Sequence, residues 1–318
     1  MASDPTPALN PVQPSGQPTT TSDAVGTRVS EFDATKARKQ STLIIKRFTR
    51  HRLAMTSLVV FVLIDLFGFL GPLFWTVPVE STSGRRFEPP SAAHPLGTIQ
   101  TGKDMLAQLM RGTRLSVQIA LVVALGATFV GVMLGSLAGY LRGKTDSLIS
   151  RFIDLMLIIP PIAVAAILVR GIGGSWYIVA IILAAFAWMQ MARITRGETL
   201  SLAQREFIEA AKASGAGTKW IITRHLIPNM IGVITVNATL AVATAVLAEA
   251  ALSFIGLGVQ SPDTSLGLII AENYSQITDR PWLFWGPFVV VVLLSLAVNF
   301  IGDGLRDAFD PRQTKVRA

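Results

Sequence analysis

Cysteine is absent from the 318 residues, which excludes a disulfide framework and any thiolate metal site. Histidine is nearly so. His51, His94 and His225 lie in three separate segments, which argues against a metal site built from them and leaves surface or interfacial histidines as the plain reading. Charge is scarce as well, at 15% of residues, while 51% are hydrophobic and the mean hydropathy is +0.51. That balance excludes an ordinary soluble domain and points to a membrane protein. The first 35 or so residues, rich in Pro, Thr, Ser and Gly, lack the apolar material to order themselves. They also lack the charged start and apolar core of a signal peptide, so the first hydrophobic run is expected to be retained as a span.

What is present in abundance is long apolar runs. A membrane helix needs about 20 mostly apolar residues, and six stretches qualify or nearly do: Leu53–Trp75, Leu115–Leu141, Phe152–Arg170, Trp176–Ala192, Ile231–Gly258 and Phe284–Ile301. The fourth is short, and the fifth is long enough to tilt or break. None shows the alternation of a barrel strand, so an all-α membrane protein with six transmembrane helices is expected. The organisation read from this is a cytoplasmic tail over residues 1–40, a membrane domain over 41–312 and a short tail over 313–318. Twenty-one of the 28 Lys and Arg fall in the two tails, the Arg142–Arg151 loop and the Arg193–Arg224 segment. By the positive-inside rule these are cytoplasmic, both termini included. The net charge of +8 is therefore a topology signal, and nucleic acid is not an expected partner.

Several features within the spans are candidates for packing or function. Gly131, Gly135 and Gly139 repeat every fourth residue and form a smooth stripe that lets a second helix approach closely. Asp65, Asp154 and Glu249 are ionisable groups inside spans. For each, a structural role between helices and a place on a translocation path are both open, and for Asp154 the nearby Arg151 offers a helix-terminal ion pair. Pro160 and Pro161 are expected to kink the third span. Gly143-Lys144-Thr145 ends like a phosphate-binding loop, but Ala138 stands where the leading glycine belongs and the segment follows a membrane helix, so nucleotide binding is not expected. No histidine lies in a span to activate a serine and no metal cluster appears, so no catalytic residue is assigned.

Between the fourth and fifth runs lies a polar, glycine-punctuated segment, about 201–229. Ser201 and Gln204 have the spacing of a capping box, predicting a helix from Arg205 through Ala211. Gly215 is placed to end it in a left-handed cap, and a second helix is expected over Lys219–Ile227, closed by Pro228. A DNA-binding helix-turn-helix is excluded by the flanking spans and the small charge surplus. A docking helix for a cytoplasmic partner is the better reading.

The segment is similar to the EAA loop of ABC importer permeases, with Glu209, Ala210, Ala211, Gly215 and Pro228 at the pattern's spacing, and Phe207 on the same helix. Its two hydrophobic positions hold His225 and Ile227. Three further stretches narrow the likeness to the dipeptide and oligopeptide permease C type. His94-Pro95-Leu96-Gly97-Thr98, continuing to Gly102-Lys103-Asp104 and Gly112-Thr113-Arg114-Leu115-Ser116, resembles one hallmark region. Glu249 to Gly258 resembles a second, and Asp154 with Pro160 resembles the third-span pattern. Departures are Ile99 for Asp, Lys103 for Arg, and Thr264 and Leu266 for Pro and Trp. The resemblance implies a type I ABC importer permease fold in the cell membrane, not itself an enzyme and with no cofactor of its own. It implies a homologous second permease subunit, one or two ATPase subunits carrying ATP and Mg, and an extracytoplasmic substrate-binding protein. The implied cargo is a di- or oligopeptide, with a nickel chelate, glutathione or haem as alternatives within the subfamily. A secondary transporter is the reading from another class, and the docking segment argues against it.

Overall fold

A computed structural model describes residues 40–82 and 85–310. The tails before and after these limits, and the readings made on them, lie outside the described residues. The chain divides into two units, residues 1–43 and 44–318, and the second holds all the membrane helices.

Every regular element among the described residues is a helix, and strand-type pairing there is confined to the isolated bridges Thr82–Lys103 and Thr98–Asp104. The helices are α1 (Gln40–Arg50), α2 (Arg52–Phe74), α3 (Met105–Leu141), α4 (Gly143–Ile158), α5 (Pro161–Ile172) and α6 (Trp176–Leu202). Then come α7 (Glu206–Ala213), α8 (Thr218–Ile221), a π-helical turn (Ile222–Leu226), α9 (Ile227–Asn229), α10 (Ile231–Phe254), α11 (Leu266–Asn273) and α12 (Pro281–Phe309). Five of them, α2, α3, α6, α10 and α12, are long and apolar enough to cross a membrane. The pair α4–α5 makes a sixth crossing when counted as one broken span, bent by 79°. Its break has a local cause. Pro160 and Pro161 lack the N–H groups that would carry the helix through, and Pro160 instead caps α5 with Pro161 in its first turn.

Four helices, α3, α4, α6 and α12, outgrow the apolar runs that mark them, and α3 and α6 show why. α3 begins at Met105, where Asp104 caps it by accepting the Ala107 N–H at 2.7 Å, and α6 continues to Leu202. In both, buried polar or small residues such as Gln108, Gly112, Thr195 and Thr199 replace apolar ones on the packed face, so hydropathy falls while helical packing persists. α3 is central, with α2, α6 and α10 packed on it, and α12 packs on α2 and α10. His51 joins α1 to α2: its Nδ1 accepts the Ala54 N–H at 3.1 Å, and its Nε2 lies 3.5 Å from Asp307 near the end of α12.

Candidate functional site

α7 and the turn after it form an exposed groove. Ser201 lies in the last turn of α6 rather than at a helix start, and α7 begins at Glu206 without a side-chain cap. The predicted capping box is overridden because the face of α6 that holds Thr195 and Thr199 stays packed against α3, drawing the helix past the signal. Glu206 and Glu209 in the first turn of α7 face its positive dipole end and take over part of the cap's role. Ile208 is fully buried and anchors α7 in a cluster with Ile221, Leu226 and Met230. That leaves Phe207, Glu209 and Ala210 exposed and Ala211 half-buried.

The helix ends in a Schellman cap. The Ala216 N–H reaches the Ala211 carbonyl at 3.1 Å, with Gly215 at φ +83°. A Cβ on Gly215 would meet nothing within 4 Å, so the requirement for glycine is conformational and not steric. An L residue there costs about 1–2 kcal/mol.

The groove, about 650 Å³, is lined by Phe207, Ala210, Ala211, Gly215, Trp220 and His225 among others. The π-helical turn, where a continuous second helix was expected, carries His225. Its ring meets Trp220 edge-on at 4.6 Å and Phe207 at 6.2 Å, and its Nε2 is buried with no hydrogen-bond partner among the described residues. Glu209 makes no ion pair among the described residues. Pro228 is exposed in α9 and does not line the groove. Small residues in the floor, aromatic walls and an unpaired carboxylate on the same helix suit an inserted protein element better than a small ligand.

Gly131, Gly135 and Gly139 face α6. A Cβ on Gly131 would come within 2.6 Å of Met191, and one on Gly139 within 2.7 Å of the Arg196 carbonyl. Thr195 seals the contact, its hydroxyl lying 3.0 Å from the Gly131 carbonyl. Below the stripe, α4 is tied to α6 by two ion pairs. Arg196 holds Asp146 with two hydrogen bonds, and Arg193 donates to Asp154 at 2.5 Å. Asp154 thus finds its partner on another helix, not in Arg151 beside it.

Asp65 and Glu249 lie apart from Asp154 and from each other in character. Asp65 is half-buried in α2, one oxygen without a partner among the described residues. Glu249 is fully enclosed. Its two oxygens accept hydrogen bonds from Ser116 at 3.1 Å and Ser253 at 2.7 Å, and the Ser253 and Ser265 hydroxyls meet at 3.3 Å. Ser116 also accepts the Leu266 N–H at 3.1 Å. Two of the family-like stretches, one ending at Ser116 and the other starting at Glu249, therefore meet in one buried polar node joining α3, α10 and α11. Asp104 forms another, bonded to His94 Nδ1 at 2.7 Å and to Trp75 Nε1 at 3.1 Å. Ile99, where the family pattern has Asp, is buried beside Met105, Ile269 and Leu283.

Comparison with known proteins decides the family. Residues 131–315 match the model of the binding-protein-dependent transport system inner membrane component, and residues 40–90 match the N-terminal TM domain of oligopeptide transport permease C. The chain belongs to this permease family. It is 37% identical over 286 residues to the oligopeptide transport system permease protein OppC of Mycobacterium tuberculosis (strain ATCC 25618 / H37Rv), covering 89% of this chain and 98% of that one. It is 38% identical over 270 residues to OppC of Escherichia coli (strain K12), covering 84% and 89%. Against the dipeptide transport system permease protein DppC of Alkalihalophilus pseudofirmus it is 37% identical over 268 residues, covering 84% and 88%. The all-helical architecture agrees with the permease fold, and the permease is a multi-pass protein of the cell membrane.

The groove residue Trp220, the ion-pair partners Arg193 and Arg196, and the serines around Glu249 were not singled out from sequence, and His225 stood out only as a departure from the EAA pattern. Ser116 and Ser253 had a signal, since both fall within family-like stretches. Arg193 and Arg196 had none beyond their place among the basic residues of a segment expected to be cytoplasmic.

Proposed function

We propose that this permease is the membrane-spanning subunit of an ATP-driven importer of di- and oligopeptides, coupled to cytoplasmic ATPase subunits through α7 and its groove. The proposed assembly contains a homologous second permease subunit, two ATPase domains that bind ATP and Mg, and an extracytoplasmic binding protein that delivers the peptide. The related chains are named oligopeptide and dipeptide permeases, which supports the cargo. The observation that carries the coupling is the exposed α7 face, fixed to the membrane helices by Ile208 beneath it.

In this reading an ATPase domain holds α7, with Glu209 paired to a basic residue of that domain and Ala210 allowing close approach. ATP-driven closure of the domains displaces α7. Because Ile208, Leu226 and Met230 tie α7 to the foot of α10, the displacement is passed to the spans and turns the path outward. Separation after hydrolysis returns it inward. The Asp154–Arg193 and Asp146–Arg196 pairs keep α4 moving with α6.

The test is peptide uptake by the whole complex carrying Glu209→Lys or Gly215→Asp in this chain. Both variants are expected to insert at wild-type levels and to lose uptake and peptide-stimulated ATP hydrolysis. Normal uptake by either refutes the coupling role.

A further inference from the structure

A second cavity, about 380 Å³, opens between the stretch of α3 from Arg111 to Gln118, the end of α2, the start of α6 and the loop after α10. Its polar lining is Arg111, Arg114, Gln118 and Asp263, with Trp176 as a wall. The two guanidinium groups differ. Arg111 lies 3.6 Å from Asp263 and 3.9 Å from Glu80, so its charge is balanced within the chain. Asp263 is held in place by accepting the Trp176 N–H at 3.2 Å. Arg114 has no carboxylate partner among the described residues, and its guanidinium stacks 5.4 Å over the Phe69 ring. Gln118, one turn further along α3, makes no side-chain hydrogen bond among the described residues.

The surroundings of Arg114 make its charge informative. The backbone of Arg114 lies against Gly68, where a Cβ would come within 3.0 Å of its nitrogen. Gly68 is six residues before the end of α2 at Phe74, which places the Arg114 backbone beside α2 roughly 9 Å along the helix from that end. The face of α3 that carries Arg114 and Gln118 continues through Leu121, Leu125 and Phe129, the last two 68% and 70% exposed. A lone arginine and an amide at the head of such a stripe are costly against lipid. Both side chains are better satisfied where this end of the face meets a water-filled path or another subunit.

We propose that the cavity is a carboxylate subsite on the translocation path, with Arg114 gripping the carboxylate through its paired N–H donors and Gln118 adding an amide donor. A free guanidinium matches a carboxylate bidentately. The C-terminal carboxylate is a group every unmodified peptide carries whatever its side chains, so one fixed arginine can serve many sequences. The neutral Arg111–Asp263 pair forms the wall without competing for the ligand. The inference rests on the peptide-import reading above. An acidic side chain of the binding protein could supply the same group, and the test separates the two sources.

The complex, with its binding protein, is reconstituted in vesicles and supplied with a peptide or its C-terminal amide. The binding protein's affinity for each form is measured separately, so that the acid-to-amide ratio refers to transport. Wild type is expected to favour the free acid by about tenfold, the worth of a charge-assisted contact. Arg114→Gln should bring the ratio close to one, and Arg114→Lys, which keeps the charge but not the fork, should give an intermediate ratio even where the Gln variant assembles poorly. An unchanged ratio in an assembled Arg114→Gln or Arg114→Lys complex overturns the subsite. Equal loss of both forms, with a higher half-saturating concentration of binding protein, assigns the carboxylate to that protein and overturns the peptide assignment. A wild-type complex that moves neither form overturns the import reading, and the subsite's ligand with it.

Discussion

Glu249 shows what a single buried carboxyl does in this permease. It accepts from Ser116 on α3 and Ser253 on its own helix, so it joins elements distant in sequence and leaves neither serine hydroxyl without an acceptor. Glu249→Ala strands both hydroxyls in a buried site, at about 1–3 kcal/mol for each unsatisfied group. A clear fall in the thermal midpoint of the detergent-purified protein is expected, with Glu249→Gln, which keeps one acceptor oxygen, falling less. An alanine variant as stable as wild type would show that the node does not hold the helices together. The sequence flags Glu249 as an ionisable group in a span and leaves its role open, because its partner Ser116 lies 133 residues away.

At the scale of elements, the crossing of α3 and α6 depends on the glycine stripe. A Cβ on Gly135 would lie 3.0 Å from Ala192 Cα and closer still to the Ala192 carbonyl and Thr195, which are backbone and wedged side chain, so neither can yield easily. Gly135→Leu should force the helices apart at a cost on the order of 1–3 kcal/mol or more. The expected readout is a lower thermal midpoint and weaker assembly with partner subunits, whereas the same change at Gly197, which has open space around it, should be mild. The stripe was legible because a four-residue repeat is local. α7 was legible in part: Gly215 marks its end through a backbone rule, while its start moved from the predicted cap to Glu206 because packing of α6 on α3 outweighs one capping interaction.

For the molecule as a whole, the distribution of Lys and Arg predicts that both tails and the α7 groove face the cytoplasm. The lack of cysteine makes a direct test simple, since any introduced thiol is unique. Ala93 and Ala213 are both exposed, the first in the connection before α3 and the second at the end of α7. A membrane-impermeant maleimide applied to intact cells should label Ala93→Cys, and should label Ala213→Cys only after the membrane is opened. The reverse pattern would place the α7 groove outside the cell and remove it from any cytoplasmic ATPase.

The sequence by itself determined the membrane class, the apolar helices, the break at Pro160, the close-packing stripe and the glycine that ends α7. Each is written in contiguous residues, through hydrophobic run length, four-residue spacing or the backbone limits of Gly and Pro. Only the tertiary structure decided that Asp154 pairs with Arg193, that Glu249 is enclosed by serines from separate helices, that α6 runs on to Leu202, and that Arg114, beside a neutralised Arg111, has no carboxylate partner among the described residues. Those outcomes depend on which helix faces come together, and long-range pairings between helices leave no periodic mark in the chain.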